Sequence, residues 1–566
     1  MNPSTALARV VVDELVRNGI TDVVVSPGSR SAPLAMAVAD ADANGLLTLH
    51  VRVDERAAAF TALGLAKAAG APTAVITTSG TAVANLHPAV AEAHHGGVPL
   101  LVLTADRPAE LRGVGANQTL DQAGIFRASV RLVLELAADD RPGQVPYWRS
   151  SVSRAVIAAV GAISADPGPV HCNVGFRDPL VPDGDMTWVD SLDGRGDGGP
   201  WTSASNTIRS VGIDTGSTVH DGSSTLMVIG DAPRACVDAA WGVATGASWP
   251  VIAEPQSRSV GRGVACGSLV AGSNAWVSRH APERVLVVGR PTLSRQIARL
   301  VSGAVVPVDV VTAGGRWPDA AHAARRVYTA FDLRPGTAPS AASPALLTAW
   351  AEAGRQAHLA VDRVLDESLA DGRPPSGIAA VREALRALPP DAILFLGSSS
   401  VIRDADLLAV PLPGRVLTNR GVGGIDGTVS SAVGAALASR WPGYAIMGDL
   451  TFLHDANGLL IGPDEPRPDL CVIVLNDDGG GIFGLLEPGA PEHAGVFERV
   501  FGTPHGVDIA ALCAATRTPH EVVEVEKLAA ALAPRPGLRV VEVVIDRHGH
   551  RDLFGRLRIA VAEALG

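Results

Sequence analysis

Short apolar runs and amphipathic stretches succeed one another along most of the chain. Thr5–Asn18 carries apolar residues at helical spacing and stops at Gly19. Asp22–Val25 predicts a buried strand that opens into the turn Ser26-Pro-Gly-Ser29-Arg30-Ser31, with a helix following through Ala39. Then come a strand over Leu46–Val53, an Ala-rich helix over Glu55–Ala69, a strand over Thr73–Thr77, a helix after Ser79-Gly-Thr81, and a strand over Leu100–Thr104. Short all-apolar strands alternating with helices belong to parallel sheets covered on both faces. Ligands of such sheets bind beyond the carboxyl ends of the strands. The informative residues are therefore Ser26–Ser31, Asp54-Glu55, Ser79–Thr81 and Ala105–Pro108.

The pattern lapses twice. From about Pro182 to Ser224 the chain turns rich in Gly, Asp and Ser, including Asp193-Gly-Arg-Gly-Asp-Gly-Gly199, which reads as a linker. A second α/β block follows, with strands near Thr225–Ile229, Val251–Ile252, Val285–Val288 and Val305–Val311. The second break is Pro335-Gly-Thr-Ala-Pro-Ser-Ala-Ala-Ser-Pro344. The last block predicts strands at Ala392–Leu396, Val416–Thr418, Tyr444–Met447, Leu470–Leu475 and Leu538–Ile545. The expected organisation is three α/β domains over 1–185, 225–334 and 349–566, joined by linkers over 186–224 and 335–348. No short-period repeat is found.

Composition changes little in this picture. The 566 residues include 61 Gly and 40 Pro, spread between apolar runs as many short turns would require. A net charge of −11 argues against nucleic acid or an anionic membrane as partner. Lys67 and Lys527 are the only lysines, which leaves arginine as the main cation for an anionic ligand. Cys172, Cys236, Cys266, Cys471 and Cys513 are far apart and form no CxxC, as expected of buried thiols in a reducing compartment. The first residues lack a basic segment followed by an uninterrupted apolar core, and no run of about 18 apolar residues occurs. A cytoplasmic enzyme without a membrane span is the expectation.

Chemistry concentrates in the third block. Gly448-Asp449-Leu450-Thr451 ends one strand, and Asn476-Asp477-Asp478-Gly479-Gly-Gly-Ile482-Phe483 ends the next. The spacing from Asp449 to Asp477 fits one βαβ crossover, which brings both carboxylates to the same edge of adjacent parallel strands. Two carboxylates with nearby carbonyls suit a hard cation such as Mg²⁺, and the glycines permit close approach to phosphate. Each turn alone is equally an Asp capping the next helix. Glu55 opens a helix just past a strand; an ordinary first-turn acid would sit there too. Gly421-Val-Gly-Gly-Ile425-Asp-Gly427 lacks the G-x-G-x-x-G order of a dinucleotide loop. Ser79 lacks a nucleophile elbow. His94-His95 and His548-Gly-His550 find no partners in a metal-ligand pattern.

Together these motifs resemble the thiamine-diphosphate enzymes, whose metal motif is Gly-Asp followed, some 25–30 residues on, by Asn-Asn or a near variant. The resemblance implies three doubly wound parallel-sheet domains: pyrimidine-binding, central and diphosphate-binding. It implies that Asp449, Asp477 and the Gly479 carbonyl hold Mg²⁺ (or Mn²⁺), with Asn476 as the alternative to Asp477. It implies that Glu55 bonds the aminopyrimidine ring nitrogen and favours the imino tautomer, and that Ile425 bends the cofactor. Gly448, Leu450, Thr451, Ser399 and Ile482 would line the cofactor. Active sites shared between copies imply a homodimer or homotetramer.

Ser26-Pro-Gly-Ser29-Arg30-Ser31, Thr104-Ala-Asp-Arg107-Pro, Gly115-Ala-Asn117-Gln118, Asn419-Arg420-Gly and Gly479-Gly-Gly-Ile-Phe483, in this order, narrow the resemblance. They look like the 2-succinyl-5-enolpyruvyl-6-hydroxy-3-cyclohexene-1-carboxylate (SEPHCHC) synthase family of menaquinone biosynthesis. That family decarboxylates 2-oxoglutarate and adds the resulting carbanion in a 1,4 sense to isochorismate. The two substrates carry several carboxylates, which suit guanidinium forks. The resemblance assigns Arg30, Arg107, Arg403 and Arg420 to them, with Ser29, Asn117, Gln118 and Ser399 as hydrogen-bond partners and Phe483 as a wall. Arg295 is a candidate contact from the middle block. Arg284, Arg290, Arg295 and Arg299 permit an anionic effector there. The alternative is another thiamine-diphosphate decarboxylase or synthase of the acetohydroxyacid synthase type; a nucleotide-binding α/β protein is the third reading.

Overall fold

The computed structural model describes residues 1–183, 190–204, 219, 222–258, 262–303, 306–330, 333, 343–370 and 374–566. Most of the expected 186–224 linker, and 335–342 of the second, lie outside these residues. The described chain forms three sheets in which every strand pairing is parallel. By contacts the chain divides into two compact units, one of 1–211 with 421–440 and 454–469, the other of 212–420, 441–453 and 470–566.

In the first unit, strands β1 (Asp22–Val25), β2 (Thr48–Val51), β3 (Thr73–Thr77), β4 (Leu100–Asp106), β5 (Val133–Ala137) and β6 (Pro169–Gly175) lie in the order β2-β1-β3-β4-β6-β5. Helix Pro3–Arg17 is capped by Asn2, whose side chain accepts from the Thr5 N–H at 2.8 Å, and covers one face with Leu7, Val11 and Leu15. Helix Glu55–Ala69 covers the other face. It packs on helix Thr428–Leu437, from the third sequence block, at backbone contact: a Cβ on Gly64 would lie 2.0 Å from the Ser431 carbonyl oxygen, and one on Gly434 2.1 Å from that of Thr61. The small residues of the Ala-rich helix serve this approach.

The second unit holds two sheets. Strands β7 (Thr225–Ile229), β8 (Val251–Ala253), β9 (Arg284–Val288), β10 (Val308–Thr312) and β11 (Ala324–Thr329) run in the order β11-β10-β9-β7-β8. Strands β12 (Ile393–Leu396), β13 (Arg415–Leu417), β14 (Gly443–Gly448), β15 (Leu470–Asn476), β16 (His520–Val522) and β17 (Leu538–Val544) run in the order β13-β12-β14-β15-β17-β16. One continuous core joins the two, with helix Ser343–Ala370 contributing the fully buried Trp350 edge-on to Trp276. Ser343–Thr348, expected as linker, are the first turns of that helix.

The first and third sheets share one winding order, and in each the order reverses between the first and third strands. These switch points, β1/β3 and β12/β14, are where a doubly wound sheet opens a crevice. The sequence pattern found the inner strands except β6, and extended β2 too far: Leu46, Leu47, Arg52 and Val53 lie outside it. Helix Ala32–Ala43 runs past the expected end at Ala39. Residue 305, the first of the strand expected over Val305–Val311, lies outside the described residues, and β10 begins at Val308.

Candidate active site

The β14 and β15 strands pair through Gly448 and Leu475, so the turns after them lie side by side. Asp449 begins helix Asp449–His454 and is 1 % exposed. Its Oδ1 accepts the Leu450 N–H at 2.6 Å, and its Oδ2 accepts the Gly479 N–H at 2.8 Å and Nε2 of His505 at 3.1 Å. Burial raises its pKa against these bonds. Asp477 is pushed up to about 7, first by burial and then by the charge of Asp449. Arg547 Nη1 donates to the carbonyl oxygens of Asp477, at 2.8 Å, and Asp478. Gly479 has φ +149°, and a Cβ there would lie 2.0 Å from the Gly502 carbonyl oxygen, so no other residue fits the turn. Asn476 is occupied elsewhere: its Nδ2 donates to Glu542 Oε1 at 2.6 Å and its Oδ1 accepts the Asp478 N–H at 2.9 Å. Asp477 is thus the residue of the pair whose carboxylate faces the charge of Asp449.

His505 was not anticipated. Its Nδ1 accepts the Val507 N–H at 3.0 Å, which leaves the proton on Nε2 to be donated to Asp449. A lone histidine outside any ligand spacing carries no signal in the sequence.

Across the same switch point, β12 ends in a sharp turn. Ser399 has φ +85° and precedes helix Ser400–Leu407. Ser398 Oγ donates to the Asn419 carbonyl oxygen at 2.7 Å, tying this turn to the one after β13. Arg403 donates to the Ser399 carbonyl oxygen, and its pKa is lowered by burial and then by the neighbouring charge of Arg420. Arg403 and Arg420 therefore stand close enough to repel. Phe483 lies with Phe501 at 5.8 Å between ring centroids, and Ile482 beside it is half-buried.

In the first unit, Glu55 is the first residue of helix Glu55–Ala69 and half-buried. Asp54 caps this helix, accepting the N–H groups of Arg56 at 2.8 Å and Ala57 at 3.1 Å. Glu465 holds the preceding strand end, accepting the Val51 N–H at 2.6 Å beside the buried Arg52. At the carboxyl edge of the sheet Arg107 Nη1 donates to Ser79 Oγ and to the Gln118 carbonyl oxygen at 2.9 Å. Burial and then the charge of Arg30 lower the pKa of Arg107. Gln118 returns a bond from Nε2 to the Ser79 carbonyl oxygen at 2.8 Å. Ser29 and Asn117 are exposed. Arg30, Arg107, Ser79 and Gln118 thus gather at this edge. Glu92, unforeseen, accepts the N–H groups of Gly421 and Val422, each at 2.8 Å, and so fixes the start of the loop bearing Ile425. Gln122, also unforeseen, accepts the Gly80 N–H at 2.9 Å and donates to Asn173 on β6 at 3.0 Å.

The middle-block arginines are engaged. Arg295 pairs with Glu487 at 3.0 Å on the surface. Arg284 is buried against Asp309 and Thr225, and Arg299 donates to Asn274 Oδ1 at 3.1 Å. Arg290 turns to the carbonyl oxygen of Arg420. His94 accepts from Arg131 at 2.7 Å, and His550 Nε2 from the Gly377 N–H at 3.3 Å.

Doubly wound sheets, a close carboxylate pair after β14 and β15 and a helix-opening glutamate after β2 define a thiamine-diphosphate enzyme. Residues 5–125 match the family described as thiamine pyrophosphate enzyme, N-terminal TPP binding domain. The chain is 50 % identical to the SEPHCHC synthase of Saccharopolyspora erythraea, with all of both chains covered. It is 48 % identical to that of Kineococcus radiotolerans over the full length of both, and 46 % to that of Nocardia farcinica over 99 % of this chain and all of the relative. The chain belongs to the SEPHCHC synthase family.

Proposed function

We propose that this chain decarboxylates 2-oxoglutarate and adds the remaining four-carbon unit to isochorismate, giving SEPHCHC for menaquinone biosynthesis. The observation that carries the reading is the pair of buried Asp449 and half-buried Asp477 after the adjacent strands β14 and β15, where desolvation and then the charge of Asp449 push the pKa of Asp477 up to about 7. Two anions held close together fit a divalent cation, which removes the repulsion and keeps both ionised. Among the described residues no group of three or more His, Cys, Asp or Glu gathers for a metal. The remaining ligands of Mg²⁺ (or Mn²⁺) would be the Gly479 carbonyl and diphosphate oxygens. Thiamine diphosphate, when bound, supplies the nucleophile and the electron sink for decarboxylation.

The protein's own residues do the rest. Glu55 holds a proton at the aminopyrimidine nitrogen, from a helix start that Asp54 caps. Gly448, Leu450, Thr451, Ser399, Ile425 and Ile482 would line the cofactor. Arg30 and Arg107, with Ser29, Asn117 and Gln118, bind one set of carboxylates; Arg403 and Arg420, with Ser399 and Phe483, bind another. Guanidinium forks that already repel one another gain most from an anion placed between them. We further propose the domain limits 1–185, 225–334 and 349–566, active sites shared between copies of a dimer or tetramer, and a cytoplasmic location. The location is supported by five cysteines, all free and buried. No described helix is long and apolar enough to cross a membrane.

The test is consumption of isochorismate by the purified protein. It should require 2-oxoglutarate, thiamine diphosphate and Mg²⁺ together. Turnover of pyruvate in place of 2-oxoglutarate would move the reading to the acetohydroxyacid synthase type.

A further inference from the structure

The middle sheet has its own switch point, between β7 and β9, where an open crevice is the usual arrangement. Here the crevice is closed by the chain itself. Asp231, after β7, donates its N–H to the Arg290 carbonyl oxygen at 2.9 Å, and Arg290, after β9, returns the bond at 3.0 Å. The closure is tight: a Cβ on Gly230 would lie 2.1 Å from the Pro291 nitrogen. The same turn carries Thr292. The N–H groups of Thr292 and Leu293 both donate to Oε1 of Glu254, the second at 2.9 Å. Glu254 follows β8 and is 7 % exposed, so its bonds to this turn face little competition from water.

Thr292 takes one edge of the Arg420 guanidinium. Nε and Nη2 of Arg420 donate to its Oγ1 at 3.2 and 3.0 Å, and Nη2 also to its carbonyl oxygen at 3.2 Å. Arg290 Nη2 donates to the Arg420 carbonyl oxygen at 2.6 Å, so the residue is held at both its backbone and its head. Such a hold has a purpose beside Arg403, whose like charge would otherwise drive the Arg420 fork away. A long side chain left mobile would lose rotamer entropy on binding an anion; one already fixed does not.

We infer that Thr292, itself fixed by Glu254, is a positioning residue that aims Arg420 at a substrate carboxylate, and that the middle sheet thereby contributes to substrate affinity. This rests on the reading of Arg420 as a carboxylate ligand.

Steady-state kinetics of the holoenzyme with both substrates test it. Thr292→Val keeps the shape and removes the hydroxyl acceptor; Thr292→Ser keeps the acceptor. Thr292→Val should raise the KM for one acidic substrate on the order of tenfold, with kcat within about twofold of wild type. Thr292→Ser should restore the KM. Arg420→Ala should raise the same KM, and adding Thr292→Val to it should raise it no further, since the two act as one unit. If Arg420→Ala raises KM while Thr292→Val leaves it unchanged, or multiplies it in full in the Arg420→Ala background, the inference is overturned and the reading of Arg420 stands. If Arg420→Ala leaves both KM values unchanged, the reading of Arg420 fails and the inference with it.

Discussion

At the scale of single residues, Glu55 carries the sharpest expectation. Glu55→Gln keeps the size and the helix start but removes the acid. Turnover should fall by about a hundredfold or more, with thermal stability and thiamine diphosphate affinity close to wild type; calorimetric titration beside kinetics separates the two. Asp404 gives a stability prediction. It is 4 % exposed, and burial pushes its pKa up to about 8 against the attraction of Arg403. The folded value lies above the unfolded one, so the folded state prefers the protonated acid. Its contribution to stability is complete below the unfolded pKa, near 4, and is lost as pH rises through about 8. Asp404→Asn should therefore raise the melting temperature by a few degrees at pH 8.5 and by progressively less toward pH 5, as a melting series over that range would show. The Asp449 and Asp477 pair was legible because a crossover length separated two acids that each end a strand. His505, Gln122 and Glu92 were not, since each acts through contacts that only the folded chain creates.

At the scale of elements, the parallel strands were legible wherever both faces are apolar. β6 was not: its His171 and Asn173 break the apolar run, yet both are fully buried. The fold satisfies them internally, with Thr104 bonded to His171 at 2.7 Å and to Asn173 at 3.0 Å, and Asn173 to Asp106 at 2.9 Å. β5, β11 and β16 were missed for another reason; each lies at a sheet edge, where exposed charged or polar positions dilute the pattern. The Ala-rich character of helix Glu55–Ala69 could be read, but not its cause, which is backbone contact with helix Thr428–Leu437. Gly64→Ala tests that contact. A methyl group 2.0 Å from the Ser431 oxygen must push the helices apart, costing about 1–3 kcal/mol. Denaturant unfolding should show the loss. An unchanged midpoint would mean that the pair of helices packs less closely than described.

At the scale of the whole molecule, the net charge of −11 excludes little about the ligands, because charge is distributed. Arg30 and Arg107 meet at one sheet edge and Arg403 and Arg420 at another, each pair close enough to lower a guanidinium pKa. An acidic surface and locally basic sites coexist without conflict. Both clusters stand at the carboxyl edges of sheets that share one winding order, the edge at which the alternation of strands with helices leads ligand-binding residues to be expected. The arginines of the middle sheet left an anionic effector open, and the fold commits them to its own core, to its surface and to Arg420. Removing Mg²⁺ with a chelator should abolish turnover and weaken thiamine diphosphate binding together, and Mg²⁺ or Mn²⁺ should restore both; binding unaffected by the chelator would deny the carboxylate pair its role. A union of two substrates with loss of carbon dioxide fixes the mass of the product. With thiamine diphosphate and Mg²⁺, mass spectrometry should find one product weighing isochorismate plus 2-oxoglutarate less carbon dioxide. Unchanged isochorismate beside consumed 2-oxoglutarate, or an adduct built from pyruvate instead, would contradict the account.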